Sequence, residues 1–146
     1  MTNAGDYLAQ IKALILLNPQ VEHWTIVREE EQGNRGLLRY KLTLKDGSLL
    51  EMFEFFFITA TGVQVTKYRF HWQNADDQLL KRWDNAAHHP EIATYPHHVH
   101  DGSEENVLPH ESMNAEKVLS TISAIANQIS ATILKIKFLF VNTDTK

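Results

Sequence analysis

The clearest indication of the fold of this chain is the segment LLRYKLTLKDGSLLEMFEFFFITA, residues 37–60. In its first eight residues apolar and polar side chains alternate, which is the period of a half-buried strand, with the apolar set at Leu38, Tyr40, Leu42 and Leu44. Asp46-Gly47 follows, a pair typical of the tight turn of a β-hairpin, in which both central residues need positive φ. Residues 52–60 are again rich in aromatic and β-branched side chains. The segment therefore predicts two antiparallel strands joined by a hairpin.

Further strands are predicted on both sides of this hairpin, at residues 21–30, 63–72 and 79–84. Residues 6–17 space apolar side chains at helical intervals, and Pro19 then acts as a stop signal. Residues 112–141 predict a long amphipathic helix whose apolar face is Val118, Ile122, Ile125, Ile129 and Ile133. Periodicity does not decide whether residues 136–141 extend that helix or form a last strand. We expect an α+β fold: an antiparallel meander of about five strands, with an N-terminal helix and a long C-terminal helix packed on the sheet.

The chain length of 146 residues suits a single domain covering residues 1–146. Within it we distinguish a helix and strand meander at residues 1–87, a histidine-rich loop at residues 88–111 and the C-terminal helix at residues 112–141. Three prolines interrupt the loop. Loops longer than about 15 residues in a compact domain are usually functional or disordered, so we expect this one to be functional.

Composition excludes several classes of function. The chain has no cysteine, so it forms neither disulfides nor thiolate zinc sites. Its formal net charge of −4 argues against tight, non-specific binding to a phosphate backbone, although a local basic site stays open. Neither a signal peptide nor a transmembrane helix is expected. We therefore expect a cytoplasmic protein with no membrane partner.

The last predicted hairpin concentrates charge on one face. If residues 74–77 close a four-residue loop, Arg69 lies opposite Arg82, and one face carries Lys67, Arg69, His71, Arg82 and Asp84. Two facing arginines repel unless an anion compensates, and a phosphate matches their guanidinium groups well. We expect Arg69 and His71 to bind the substrate. A solvated face of mixed charge is the alternative.

The stretch HHPEIATYPHHVH, residues 88–100, holds five of the eight histidines. In an extended backbone His98 and His100 point to the same side, which suits an acid–base pair acting on one substrate. His88 and His89 are within reach if the loop folds back. If this segment binds a metal ion, the ligands would be imidazoles together with Asp84 or Asp101. The spacing matches no zinc signature, so we predict no metal or other cofactor. A divalent ion stays possible, with the alternative ligands His89, His98, His100 and Asp84. A polar loop that happens to be rich in histidine is the plainest alternative.

Aromatic residues are predicted mainly in the core. The run at residues 53–57 contains successive phenylalanines that point to both faces of the sheet, so we assign it to the core. Tyr68, Phe70 and Trp72 share one face of their strand, and aromatics placed in this way can stack nucleic-acid bases.

The segment RWDNAAHHPEIATYPHHVH, residues 82–100, resembles the hallmark segment of the TumE family of bacterial and archaeal toxins. That pattern runs Arg-aromatic-Asp-Asn, then a Pro-His-His element, then Pro-His-His-x-His, and Ala87 stands here where the pattern has proline. The resemblance implies a toxin with a cognate DNA-binding antitoxin. It also implies a catalytic set at the matching positions: Arg82, Asp84, His88, His89, His98 and His100.

Three functions are compatible with these residues. The leading hypothesis is a toxin that cleaves RNA without a tightly bound metal, with histidines as acid and base, Arg82 holding the scissile phosphate and Asp84 orienting a histidine or the arginine. The second is a metal-dependent phosphoesterase or nuclease that uses the same histidines and Asp84. The third is a protein-binding module without catalysis. The oligomeric state stays open, with a homodimer as one candidate.

Overall fold

The computed structural model describes residues 3–143, which form two helices and seven strands. The elements are α1 Ala4–Leu17, β1 Val21–Gln32, β2 Arg35–Leu44, β3 Leu49–Thr59, β4 Gly62–Gln73, β5 Leu79–Asp84, β6 His98–Asp101, β7 Val107–Pro109 and α2 Ala115–Thr143. All neighbouring strands are antiparallel and lie in the order of the chain. This confirms the predicted α+β class with an antiparallel meander.

The sheet has two more strands than the sequence predicts. Both lie in residues 88–111, which we had assigned to a loop, and they extend the sheet beyond β5. β6 has four residues and β7 has three, too few for a period of two to show in the sequence. The histidines of β6 are therefore held by a hydrogen-bonded ladder and not by a loose loop.

Within residues 3–143, the helices cover one face of the sheet, which we call the helix-covered face. Side chains alternate along each central strand, and those on this face are buried, among them Leu38, Tyr40, Met52, Phe56, Tyr68, Phe70, Trp72 and Trp83. α1 packs on them through Tyr7, Leu8, Ile11 and Ile15. Burial of Tyr68, Phe70 and Trp72 overturns the idea that they stack bases.

The opposite side of the sheet, which we call the open face, carries the intervening side chains. Phe53, Phe55 and Phe57 are only half-buried there, whereas Phe56 between them is fully buried. Assigning the whole phenylalanine run to the core was therefore wrong, because alternate residues of a strand point to opposite faces.

Helix α2 packs on the sheet through its first turns only. It begins after Asn114, whose side-chain oxygen accepts a hydrogen bond from the backbone N–H of Lys117. Val118 and Ile122 are buried and Ile125 is partly buried, but Ile129 and Ile133 are about half exposed. The predicted apolar face thus packs for only about half of its length. The helix continues to Thr143, which decides that residues 136–141 are helical.

The far half of α2 is strongly apolar. Among the described residues, α2 as a whole is the one helix that is long and apolar enough to cross a membrane, over 27 residues from Ala115 to Val141. Length and composition do not distinguish such a span from a helix that packs against protein. The expected cytoplasmic location without a membrane partner therefore stays a prediction.

One charged side chain, Glu54, lies inside the core and connects three elements. It projects from β3 on the helix-covered face and is fully buried. The hydroxyl of Tyr7 in α1 donates to its Oε1 at 2.5 Å, and the backbone N–H of Ala115, the first residue of α2, donates to its Oε2 at 2.6 Å. Burial raises the pKa of Glu54, and the two hydrogen bonds lower it. The effect of burial is the larger, so the pKa is about 7.

The titration of Glu54 predicts how stability depends on pH. The folded chain keeps this proton up to about pH 7, whereas the unfolded chain releases it near 4.5, the ordinary value of a glutamate. Protonated Glu54 therefore contributes to the free energy of unfolding. This contribution is complete below the pKa of the unfolded chain and is lost as pH rises through the pKa of the folded chain, a change of about 3 kcal/mol. In urea denaturation between pH 4.5 and 8, the wild type should lose this much stability relative to Glu54→Gln. Parallel pH profiles for the two proteins would contradict the assignment.

Candidate functional site

Residues of β4 and β5 bring the predicted charged set together on the open face. Arg69 lies opposite Asp84, and His71 lies opposite Arg82. The predicted pairing of Arg69 with Arg82 is therefore wrong by two residues. The loop between Gln73 and Leu79 is one residue longer than predicted, and the ladder is irregular by a further residue between Trp72 and Gln73. A shift of two residues leaves every side chain on its predicted face. The two arginines consequently do not face each other directly.

Asp84 is the centre of the site. It ends β5, its side chain is 10% exposed, and it is approached by four nitrogen atoms. Its Oδ1 accepts from the backbone N–H of Ala86 at 3.0 Å and lies 3.0 Å from Nε2 of His98. Its Oδ2 lies 3.5 Å from Nε of Arg82 and 3.7 Å from Nε2 of His100. The charge of Arg82 and the nitrogen atoms around Asp84 offset part of the cost of burying its carboxylate.

His98 and His100 lie next to this carboxylate because β6 pairs with β5. His98 is opposite Asp84 and His100 is opposite Arg82, and their ring centroids are 5.0 Å apart. Each Nδ1 faces a backbone carbonyl: that of Pro96 at 2.9 Å for His98 and that of Glu104 at 2.8 Å for His100. A carbonyl only accepts, so it fixes the proton on Nδ1 and leaves Nε2 directed at the site.

Residues 85–97 bring His89 back over β6. Its backbone has φ +64°, a left-handed conformation that is uncommon outside glycine. The ring centroid of His89 lies 5.4 Å from that of His98 and 6.0 Å from that of His100. One ligand atom from each of these three histidines lies within 4.8 Å of the others. His88 is exposed and its ring is 6.5 Å from that of His89, so it lies at the edge of this cluster.

Arg82 contacts a carboxylate of the chain itself, whereas the sequence predicts that it holds a phosphate. Both of its terminal nitrogens donate to the carboxylate of Glu104, on the turn between β6 and β7. Burial opposes the charge of Arg82, but the hydrogen bond and charge of Glu104 outweigh it and raise its pKa, and the same hydrogen bond lowers the pKa of Glu104. The position that we expected a phosphate to take is thus occupied by a carboxylate.

Three other cations line the cleft beside the histidines. The cleft has a volume of about 580 Å³, and His88, His89, His98 and His100 share it with Arg39, Lys67 and Arg69. Within residues 3–143, no carboxylate lies within ion-pair distance of these three cations. They are better placed than Arg82 to receive an anion. Arg39 was not predicted because it lies on β2, and only the register of β2, β3 and β4 brings it near Arg69.

His71 and Asn85 have supporting positions. His71 lies outside the histidine cleft, in an adjoining groove of about 380 Å³. Burial, together with the charges of Arg69 and Arg82, lowers its pKa. Asn85 follows Asp84 and joins β5 to β4, since its side chain accepts from the N–H of Tyr68 and donates to the carbonyl of Thr66. The predicted binding role of His71 stays a prediction.

Comparison with known proteins gives one match. A family model described as Toxin TumE matches residues 11–133, which covers both the sheet and the site. No curated protein and no solved structure matches the chain.

The burial of Asp84 predicts a contrast between the two carboxylates that contact Arg82. Asp84→Ala leaves Arg82 and His98 without a buried partner and should lower the free energy of unfolding by about 3–5 kcal/mol. Glu104→Ala is the matched control, because it also removes a carboxylate from Arg82 but from a side chain that is 56% exposed. It should cost at most about 1 kcal/mol. Urea denaturation of both variants measures the difference, and a greater loss for Glu104→Ala would contradict this account.

Proposed function

Since the chain belongs to the TumE family of toxins, we propose that it is the toxin of a toxin–antitoxin pair and that it acts by cleaving RNA. Membership of this family implies a cognate antitoxin as a partner. We propose further that this antitoxin is a DNA-binding protein. A homodimer stays a candidate, and the exposed half of α2 gives no reason to prefer it over other partners.

The observation that supports the proposal is the convergence of His89, His98 and His100 beside Asp84 in a cleft that three cationic side chains also line. RNA cleavage by internal attack needs a base, an acid and positive charge near the phosphorus. The base removes the proton of the 2′-OH, and O2′ then bonds to phosphorus. The bond to O5′ breaks, and O5′ takes a proton from the acid. The products are a 2′,3′-cyclic phosphate and a 5′-hydroxyl.

The positions of the histidines suggest how these roles are divided. His89 and His100, which line the cleft together with His98, are the candidates for acid and base. The side chain of His98 is only 2% exposed and lies against Asp84, which suits a group that supplies charge to the floor of the site. The phosphate would be held by Arg69 and Arg39, because Glu104 already occupies Arg82. Arg82 would then position Asp84 through its Nε.

A metal-dependent phosphoesterase is a second candidate, and one observation favours it. The Nδ1 of His98 and of His100 is held by a backbone carbonyl, an arrangement common in metal-binding histidines because it presents Nε2 to the ion. The three histidines and Asp84 fit zinc or another first-row divalent ion in ligand type. Such an ion would supply a bound water as nucleophile.

Substitution of the histidines tests the proposed chemistry. His89→Asn, which tolerates the left-handed backbone, and His100→Ala should each lower the rate of RNA cleavage by about 10²- to 10⁴-fold and relieve growth arrest in cells. His23→Ala is the control, since His23 is exposed on β1 and lies outside the histidine cleft. Melting curves establish that the variants are folded. Full toxicity of both folded variants would overturn the assignment.

Chelation distinguishes the two mechanisms. Cleavage by the proposed acid–base route needs no divalent ion and should persist after dialysis against a chelator. Elemental analysis of the purified protein should accordingly find no ion in stoichiometric amount. Loss of cleavage on chelation, with recovery on adding one divalent ion, would assign the metal-dependent reaction instead.

A further inference from the structure

The open face carries a row of three phenylalanines along β3. Phe53, Phe55 and Phe57 are alternate residues of one strand and are each only half-buried. Alternate residues of a strand lie about 6.7 Å apart. The rings of Phe55 and Phe57 are in edge contact at 5.3 Å between centroids, and the guanidinium of Arg39 lies 4.9 Å from the centre of Phe53. We call this row the phenylalanine row.

Each member of the phenylalanine row has a cation beside it on a neighbouring strand. Phe53 lies between Arg39 of β2 and Arg69 of β4. Lys67 of β4 lies opposite Phe55, and Arg35 of β2 lies opposite Phe57. The arrangement repeats an aromatic ring and a positive charge three times along one strand. Phenylalanine rings that served only to stabilise the sheet would not need a cationic side chain beside each of them.

We propose that the phenylalanine row and its cations bind single-stranded nucleic acid and lead it into the histidine cleft. Aromatic side chains stack on exposed bases, and neighbouring cations neutralise the backbone that connects them. The proposal rests on RNA as the substrate of the histidine site and names the form of RNA that the site takes.

The spacing of the rings favours a single strand over a duplex. Bases in a duplex follow one another at 3.4 Å along each strand and present only their edges. The rings of Phe55 and Phe57 have their centroids 5.3 Å apart and are nearly perpendicular. Bases stacked on both rings would therefore have to leave the parallel 3.4 Å stack of a duplex strand.

The row is continuous with the site. Phe53, Arg39 and Arg69 line the same cleft as His89, His98 and His100. A nucleotide stacked on Phe53 would therefore place its phosphate near Arg69 and Asp84, which are cross-strand neighbours. The acidic side chains of Glu30 and Glu31 border the groove on the other side of Phe55. They direct a polyanion along β3 and β4 and away from β1.

Binding of a non-cleavable strand tests the row separately from the chemistry. The probe is a fluorescent single strand of about 10 nucleotides, made with 2′-O-methyl groups so that internal attack cannot occur. Fluorescence anisotropy should show that Phe55→Ala binds it about 10-fold more weakly than the wild type, because one stacked base is lost. Phe55→Tyr, which keeps the ring, should restore most of the affinity. Ile26→Ala is the matched control, since Ile26 is a half-exposed apolar residue paired with Tyr40 of the helix-covered face.

The cations predict a dependence on salt. Each phosphate contact on a single strand contributes about −0.7 to the slope of log affinity against log salt. Lys67→Ala should therefore reduce the magnitude of the slope by about 0.7. Lys45→Ala, at the tip of the hairpin between β2 and β3, should leave it unchanged.

Three results would overturn the inference. They are equal binding by Phe55→Ala and the wild type, equal or tighter binding of a duplex of the same sequence, and loss of the antitoxin complex in Phe55→Ala with RNA binding intact. The last would show that the row binds protein. Failure of the proposed function gives a different result, because binding of the 2′-O-methyl strand would still depend on Phe55 while ordinary RNA stays uncut.

Discussion

The buried carboxylate of Glu54 determines how the helices lie on the sheet. A charged or polar group without solvent must have partners, and Glu54 finds them in the Tyr7 hydroxyl and the Ala115 backbone N–H. The first partner belongs to α1 and the second to the start of α2, so both helices are connected to β3 on the same face. Apolar packing alone is not directional, whereas these two hydrogen bonds fix where α1 crosses the sheet and where α2 begins. With both helices on one face, the other face has no covering element among the described residues.

Because the helices cover one face of the sheet, the site residues lie on the open face. Along β3 the inward residues Met52, Glu54 and Phe56 build the core, and the outward residues alternate with them by the geometry of the strand. The same alternation puts Arg69 and Asp84 outward on β4 and β5, because Phe70 and Trp83 next to them point inward. β6 then adds two histidines to that outward row. Most of the site is therefore assembled from the residues that the core leaves on the open face, and the connection between β5 and β6 adds His89.

Most of the architecture is predictable from local patterns, and the site is predictable only in part. Alternation and the Asp46-Gly47 turn predict the central hairpin, and the spacing of His98 and His100 predicts their common face. β6 and β7 are not predictable in this way, because such short strands are stabilised by pairing, β6 with β5 and β7 with β6, and not by their own composition. The five-residue loop before Leu79 and the irregular pairing at Trp72 each shift the register by one residue, and no local signal reports either. Glu104 reaches Arg82 only when β6 and β7 form their hairpin. Because the sequence does not predict this hairpin, it does not predict the ion pair of Glu104 with Arg82.

The position of His98 limits what the site can be. Its Nδ1 faces a carbonyl and its Nε2 faces the carboxylate of Asp84, and neither oxygen is a donor. The ring is therefore satisfied either by a second proton or by a cation next to Nε2. With His98 and His100 both protonated, these imidazoles and Arg82 carry one positive charge more than Asp84 and Glu104 neutralise. A divalent ion with neutral imidazoles leaves the same excess, so both forms carry net positive charge toward a phosphate. The two forms differ in where the transferable proton resides, on an imidazole or on a metal-bound water. Because a ring nitrogen that holds a metal cannot hold a proton, one molecule uses one form or the other and never both.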